Sequence, residues 1–125
     1  MKLFILLSMV FCHIIDDYCL QQHCLSKLKQ RIFWQKEAPH YDYRHDYIMA
    51  LIMHGFSWAF MIMLPIWIYG IAMKSFDVNI IVFLINAVIH SIIDDLKANR
   101  FRINLIQDQL LHLVQIVISW AMLVL

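Results

Sequence analysis

The sequence has little charge and few residues that interrupt helices. Charged residues make up 15% of its 125 positions and hydrophobic residues 62%, and it has two glycines and two prolines. Soluble domains carry about 25% charged residues, so this composition indicates a membrane protein. Because no polar low-complexity stretch is present either, we expect one compact domain over residues 1–125 without a flexible linker.

Three further absences exclude classes of function. The net charge of +1 is too small to indicate nucleic-acid binding, which depends on concentrated positive charge. The sequence has three cysteines, Cys12, Cys19 and Cys24, and no Cys-x-x-Cys pair. An odd number of cysteines argues against a disulfide framework, so we expect them to pack as small apolar side chains. The sequence contains no Gly-x-Ser-x-Gly motif, glycine-rich phosphate loop or His-Glu-x-x-His motif. Serine-nucleophile and nucleotide chemistry are therefore unsupported.

Four long apolar runs predict the fold. Residues 48–73 carry no Asp, Glu, Lys or Arg over 26 positions. A helix of that length, at about 1.5 Å per residue, exceeds a hydrocarbon core of roughly 30 Å. Since backbone groups in lipid must be paired internally, each run is expected to be helical. The sequence predicts an all-α integral membrane bundle of four transmembrane helices, over residues 3–20, 48–73, 78–93 and 106–125.

The basic residues orient this predicted bundle. Eight of them lie in the loops after the first and third runs, whereas only Lys2 and Lys74 lie on the other side. Because basic residues concentrate in cytoplasmic loops, we expect these two loops to be cytoplasmic and both termini to be outside. Within the first loop, residues 24–34 place apolar side chains at near-helical spacing among bases. This pattern favours an amphipathic segment on an anionic membrane surface.

The tetrapeptide Ile-Ile-Asp-Asp occurs at residues 14–17, directly after His13, and again at residues 92–95, where Ser91 separates it from His90. A carboxylate at the centre of a membrane helix costs about 2.5–3.5 kcal/mol on insertion scales, which makes such residues candidates for a functional site. The repeat also suggests two related halves, with spans one and two corresponding to spans three and four. Asp16 and Asp95 are expected to be solvated acids at the head-group level.

Three pairs of histidine and aspartate are spaced by four residues, which stacks both side chains on one face of a helix. They are His13 with Asp17, His90 with Asp94, and Asp108 with His112. A fourth pair, Asp46 with His54, is spaced by eight residues, which is about two helical turns. The predicted topology puts all four pairs near the cytoplasmic leaflet.

Buried carboxylates take up protons, pair with bases or bind a cation. Imidazole and carboxylate groups from facing helices are the ligand set of metal sites in helical bundles. The pattern therefore favours one shared divalent-metal site, with zinc, iron or manganese as candidate ions. The expected ligands are His13, Asp17, His54, His90, Asp94, Asp108 and His112, and the expected supporting residues are Asn86, Lys97, Gln109 and Asp46.

Hydrolysis is one function that such a site would support. A zinc ion lowers the pKa of a bound water to about 7 and so supplies a nucleophile at neutral pH. At the cytoplasmic leaflet, this nucleophile would suit a lipid-linked substrate. The sequence does not predict the oligomeric state.

The alternative hypotheses are not enzymatic. Membrane histidines can serve only as interhelical hydrogen-bonding residues, and Asp94 with Lys97 can form a simple ion pair one turn apart. The polar residues of the last two predicted helices form two polar stripes, Asn86, His90, Asp94 and Lys97 on the third and Asp108, His112, Gln115 and Ser119 on the fourth. The protein would then be an accessory factor whose polar stripes only pack helices. Proton or ion movement along the stripes is a third reading, although the charges gather at one leaflet. His23, His40 and His45 are more typical of a polar interfacial loop than of a second metal site.

Three motifs carry a resemblance to a known family: His13-x-x-x-Asp17, His90-x-x-x-Asp94-x-x-Lys97 and Asp108-Gln109-x-x-His112, together with His54 in the second run. They resemble a domain-of-unknown-function family of small multi-pass membrane proteins from prokaryotes and phages. This resemblance covers nearly the whole chain and implies a location in a bacterial inner membrane, or in the host membrane for a phage protein. The pattern is also loosely similar to membrane-bound proteins described as metal-dependent hydrolases.

Overall fold

The structure is a computed structural model that describes residues 1–21 and 24–125, so His23 lies outside the described residues. Along the chain, helix α1 (Lys2–Ile15) is followed by two short helices, α2 (Leu25–Leu28) and α3 (Arg31–Glu37). Three long helices follow, α4 (Asp46–Ala72), α5 (Ile80–Ala98) and α6 (Leu105–Val124). The described residues contain no β-strand, which confirms the all-helical prediction.

Three segments are long and apolar enough to cross a membrane, judged by length and composition: Lys2–Leu20, Tyr41–Ala72 and Leu105–Val124. The remaining long helix, α5, has 19 residues and carries three charged side chains near its end, at Asp94, Asp95 and Lys97. It extends five residues beyond the predicted boundary at residue 93, so both acids of the second Ile-Ile-Asp-Asp lie inside the helix.

The four long helices form a bundle in which α1 packs against α4 and α6, and α5 packs against the same two helices. The outer surface is apolar: Phe4, Ile81 and Ile106 are 69%, 69% and 72% exposed. In contrast, several histidine and aspartate side chains are completely buried. A polar interior beneath an apolar exterior is the arrangement expected of a helical bundle in lipid.

Local sequence explains the two helix ends nearest the polar interior. At the start of α6, Asn104 Oδ1 accepts a hydrogen bond from Gln107 N at 2.9 Å, and Gln107 Oε1 accepts one from Asn104 N at 3.0 Å. This capping box satisfies two backbone donors that the helix leaves free. At the end of α1, a π-helical turn spans Asp16–Leu20. Such turns are frequent at functional sites, and this one carries two consecutive acids of the interior.

Gly55 allows α4 and α5 to approach closely. A Cβ atom at this position would lie 2.1 Å from Ser91 Oγ and 2.5 Å from the Ala87 carbonyl oxygen. The Ser91 hydroxyl also bridges the two helices, because it donates to Leu51 O at 3.0 Å. Since His54 precedes Gly55 and His90 precedes Ser91, this crossing places the two histidines side by side.

The basic segment of the first loop folds over the bundle instead of forming one continuous amphipathic helix. It is divided into α2 and α3, and between them Lys29 points inward and is buried. Asn99, at the end of α5, holds this segment in place: its Nδ2 donates to Lys29 O at 3.0 Å, and its Oδ1 accepts from Arg31 N at 2.6 Å.

Candidate metal centre

Each of the four long helices contributes a buried histidine to one cluster in the bundle interior. The cluster, called the centre below, consists of His13 from α1, His54 from α4, His90 from α5, His112 from α6, and the carboxylates of Asp16, Asp17, Asp94 and Asp108. All seven ligands expected from the sequence therefore lie in one place, and Asp16 joins them.

His54 and His90 form the tightest contact in the centre. Their Nε2 atoms lie 2.8 Å apart, and the same His54 nitrogen lies 3.3 Å from Asp94 Oδ2 and 2.7 Å from Gln21 Nε2. A ring nitrogen carries either one hydrogen or one lone pair, so it cannot form a hydrogen bond with all three neighbours at once. A cation bound between the two histidines and Asp94 would explain why these atoms lie so close together.

Other buried polar atoms of the centre have no hydrogen-bond partner among the described residues. They are His54 Nδ1, His90 Nδ1, both ring nitrogens of His112, Asp108 Oδ1 and Asp16 Oδ2. Four of these atoms face one another at longer range, because His54 Nδ1 lies 3.5 Å from Asp16 Oδ2 and His112 Nε2 lies 3.4 Å from Asp108 Oδ1. A bound ion is one of the explanations for buried polar atoms without a hydrogen bond in native proteins.

Asp94 links the two halves of the centre. Its Oδ2 faces His54, whereas its Oδ1 lies 3.5 Å from His112 Nε2 and 3.9 Å from His90 Nε2. Two overlapping groups of ligand atoms result, Asp17 with His54 and His90, and His90 with Asp94 and His112, and within each group the atoms lie within 4.8 Å of one another. Ligands about 2.0–2.1 Å from a tetrahedral zinc are about 3.3–3.4 Å apart. To hold an ion, His54 Nε2 and His90 Nε2 would therefore have to move apart from 2.8 Å, and the more distant atoms of each group would have to approach one another.

Two lysines pair with the carboxylates of the centre. The ammonium group of Lys29 contacts Asp94 Oδ2 and donates to Gln21 Oε1 at 2.8 Å, and Lys97 Nζ lies 2.5 Å from Asp108 Oδ2. Asp94 and Asp108 are therefore each paired with an ammonium group, whereas Asp16 and Asp17 contact hydroxyl, amide and imidazole groups.

Trp58 forms the apolar wall of the centre and fixes its rings. Its indole stacks on His90 with the ring centroids 4.2 Å apart, and His90 stacks on His112 at the same distance. The indole Nε1 also donates to His13 Nδ1 at 2.8 Å, so that nitrogen of His13 is already occupied. His13 therefore belongs to the centre but to neither group of candidate ligand atoms.

Of the expected supporting residues, Lys97 and Gln109 contact carboxylates of the centre, whereas Asn86 does not. Lys97 contacts Asp108, and Gln109 Nε2 lies 3.3 Å from Asp17 Oδ2 and 3.1 Å from Asp108 Oδ2. Asn86 lies one turn from His90 but forms a separate network, donating to Ser119 Oγ at 2.8 Å and accepting from Gln115 Nε2 at 2.8 Å.

Asp46 does not lie beside the other expected site residues. It begins α4, eight residues before His54, which is about 12 Å along the helix axis. An aspartate side chain is far too short to cover that distance. The sequence put both residues on one helix face, but their separation along the axis keeps Asp46 outside the centre.

The expectation that Asp16 is a solvated acid at the head-group level was wrong. Its side chain is fully buried, accepts a hydrogen bond from Ser57 Oγ at 2.7 Å and lies 3.5 Å from His54 Nδ1. Asp95, in contrast, lies partly exposed at the end of α5 and pairs with Arg100 at 2.8 Å. The two acids differ because Asp16 lies in the π-helical turn that faces α4, whereas Asp95 belongs to a regular helix and points away from the centre.

Lys29, Gln21 and Trp58 are site residues that the sequence analysis missed. Trp58 follows His54 by four residues, a spacing that places it on the same helix face. No comparable local signal exists for Lys29, whose partner Asp94 is 65 residues away. Of the first-loop histidines that the structure describes, His40 is 71% exposed and pairs with Asp42 at 3.2 Å, and His45 is exposed.

Replacing Lys29 by methionine is expected to lower the free energy of unfolding of the chelator-treated protein by about 3–5 kcal/mol, because the substitution leaves the buried Asp94 carboxylate without its ammonium partner. Thermal unfolding in detergent measures this loss. Lys27→Met is the matched control, since Lys27 lies on the same short segment but is exposed. Equal stability of the two variants would contradict a buried ion pair at Lys29.

Comparison with known proteins identifies a family. The chain matches a family described as a protein of unknown function, DUF3307, over residues 4–125. No curated protein and no solved structure matches it. The match confirms the domain-of-unknown-function resemblance and covers nearly the whole sequence. The chain belongs to the DUF3307 family.

Proposed function

We propose that this protein is a multi-pass membrane protein that binds one divalent metal ion at the buried centre. The observation that carries the proposal is the convergence of His54 Nε2 and His90 Nε2 at 2.8 Å beside the Asp94 carboxylate. Together with His112, these residues offer the nitrogen and oxygen ligands that zinc, iron and manganese accept. Asp17 and Asp108 complete the set.

The overlap of the two groups of candidate ligand atoms supports a single ion. Both groups include His90, so they are two alternative positions for one ion rather than two separate sites. The proposed stoichiometry is therefore one ion per chain.

Hydrolysis is the reaction class that we propose for the centre. A bound divalent ion polarises a substrate oxygen or supplies a hydroxide at neutral pH. Among the chain's own groups, the Asp17 carboxylate lies at the edge of the centre, where the oxygen that does not bind the ion can accept a proton. Gln21 and Gln109 orient this carboxylate, because their amide nitrogens lie 2.9 Å and 3.3 Å from its two oxygens.

Metal analysis of the purified protein tests the proposal. We expect about one transition-metal ion per chain after purification without chelator, and reloading to the same level after chelator treatment. Chelation should also lower the melting temperature, because the ion binds only the folded state. A protein that contains no stoichiometric metal, and whose stability does not respond to added zinc, iron or manganese, would support the accessory function in which the polar stripes only pack helices.

We further propose that α5 is a fourth span, so that both basic loops are cytoplasmic and both termini are outside. The apolar exterior of all four long helices supports this arrangement, as does the excess of basic residues in the first and third loops. A bacterial inner membrane is the proposed location, or the host membrane if the chain is phage-encoded.

Single-cysteine labelling tests the topology, in a background where the three native cysteines are replaced by serine. Lys36→Cys, Ser75→Cys and Arg102→Cys place an exposed thiol in each successive loop. In intact spheroplasts, a membrane-impermeant maleimide should label only Ser75→Cys, and the other two should be labelled after lysis. Labelling of both Ser75→Cys and Arg102→Cys in intact spheroplasts would show that α5 does not cross.

A further inference from the structure

Two adjoining cavities lead from the centre to the surface of the bundle. The first, called the mouth cavity, has a volume of about 410 Å³ and is lined by Asp17, Gln21, Lys29, Lys97 and Gln109, among others. The second, called the lateral groove, has a volume of about 540 Å³ and is lined by Val10, His13, Ile14, Tyr18, Gln109 and Leu113. Tyr18 and Gln109 line both cavities, so the two are adjacent.

The mouth cavity lies directly against the centre and has a mixed lining, in which Ala98, Phe101 and Leu105 add apolar surface beside the polar side chains. Lys29 and Lys97 line it with their ammonium groups on Asp94 and Asp108, and the amides of Gln21 and Gln109 add hydrogen-bond donors. A cation at the centre would take over the neutralisation of these carboxylates. Both lysines would then be available to an anion, and their compact charges suit a phosphate group.

The lateral groove is more apolar than the mouth cavity. It runs between α1 and α6 and is apolar except near its junction with the mouth cavity, where His13, Tyr18 and Gln109 lie. Ile14 is exposed on the outer surface there, so the groove opens toward the side of the bundle. From Tyr18 to Val10 it follows about two turns of α1, or roughly 12 Å, away from the mouth and toward the predicted middle of the membrane.

We propose that the mouth cavity and the lateral groove together bind an amphiphile with a phosphate-bearing head group. The phosphate lies between Lys29 and Lys97 beside the centre, and the apolar chain lies in the groove between α1 and α6. This proposal rests on the proposed function, since it names the substrate class of the same metal centre. It also provides a lateral entry path, so that a lipid does not have to leave the membrane to reach the metal.

Phosphorus NMR of protein loaded with Mn²⁺ tests the placement, because the paramagnetic ion relaxes phosphorus nuclei that bind close to it. Two probes are added separately to the protein in dodecyl maltoside, dioctanoyl phosphatidic acid and inorganic phosphate. We expect strong saturable relaxation of the phosphatidic acid resonance, with an affinity at least about tenfold higher than that for inorganic phosphate, since only the lipid buries its chains in the groove.

Variants separate the contributions of the two cavities. Leu113→Trp fills the groove and should weaken phosphatidic acid binding at least about tenfold without changing that of inorganic phosphate. Val117→Trp is its control, one turn along α6 on the exposed surface.

Lys97→Gln should weaken the binding of both probes about tenfold, because it removes a charged hydrogen-bond donor from the mouth cavity. Lys36→Gln, which removes an exposed charge from α3, should change neither.

The outcomes distinguish the two proposals. If inorganic phosphate binds as tightly as phosphatidic acid and Leu113→Trp has no effect, the site takes a free phosphate and the amphiphile is excluded. If Mn²⁺ binds stoichiometrically but relaxes neither probe, the substrate class is wrong while the metal centre stands. If the protein binds no Mn²⁺, zinc or iron, the proposed function fails first.

Discussion

Replacing His90 by glutamine is expected to reduce bound metal from about one ion per chain to nearly none, with a loss of affinity of at least about a hundredfold. His90 has this effect because it belongs to both groups of candidate ligand atoms. Its Nε2 lies 2.8 Å from His54 Nε2 and 3.9 Å from Asp94 Oδ1, so its loss breaks up either group. Metal analysis and competition with a chromophoric chelator measure the effect.

Glutamine is preferred to alanine at this position because His90 stacks between Trp58 and His112. Truncation to alanine would leave a cavity and could unfold the protein for reasons unrelated to metal. His40→Gln is the matched control, since this side chain is 71% exposed and lies outside the centre. A folded His90→Gln variant that keeps stoichiometric metal would contradict the proposed ligand set.

Replacing Gly55 by alanine is expected to impair both stability and metal binding, although glycine to alanine is ordinarily favourable within a helix. The added Cβ would lie 2.1 Å from Ser91 Oγ and 2.5 Å from the Ala87 carbonyl oxygen, so α4 and α5 must separate. Overpacking of this kind costs about 1–3 kcal/mol. Separation of the two helices also moves His54 away from His90, and we expect metal affinity to fall together with the melting temperature.

Two further variants sharpen the interpretation of Gly55→Ala. Gly70→Ala is the control on the same helix: its Cβ would lie 3.2 Å from Phe76 Cα, which a small shift of the chain relieves, and it is far from the centre. Adding Ser91→Gly to Gly55→Ala removes the nearer obstruction and leaves only the Ala87 carbonyl. We expect this double variant to recover part of the lost metal affinity. If Gly55→Ala binds metal as well as the wild type, close helix approach is not what positions His54 and His90.

The helices and the polar face of each could be predicted from the sequence. Apolar runs of sufficient length indicated every long helix, and the spacing of four residues placed His13 with Asp17, and His90 with Asp94, on single helix faces. These are local properties, because the period of an α-helix determines which side chains share a face. The structure brings all of these residues into the centre, whereas their role as metal ligands remains a prediction.

Spacing alone was misleading where the local geometry departs from a regular α-helix or where axial distance matters. The π-helical turn at the end of α1 buries Asp16 against Ser57. Asp46 has a helix-compatible spacing from His54 but lies about 12 Å along the axis. Neither result follows from the identity of the residue or of its immediate neighbours.

The sequence by itself determined that the protein is all-helical, that its exterior is apolar, and that histidines and acids recur near one end of the helices. Only the tertiary structure decided which of them meet. Lys29 reaches Asp94 because the first loop folds back over the bundle, and His54 meets His90 because Gly55 permits a close crossing. Helical periodicity is set within a few residues of chain, whereas contacts between helices depend on crossing distance and loop path, which are set by packing over the whole bundle.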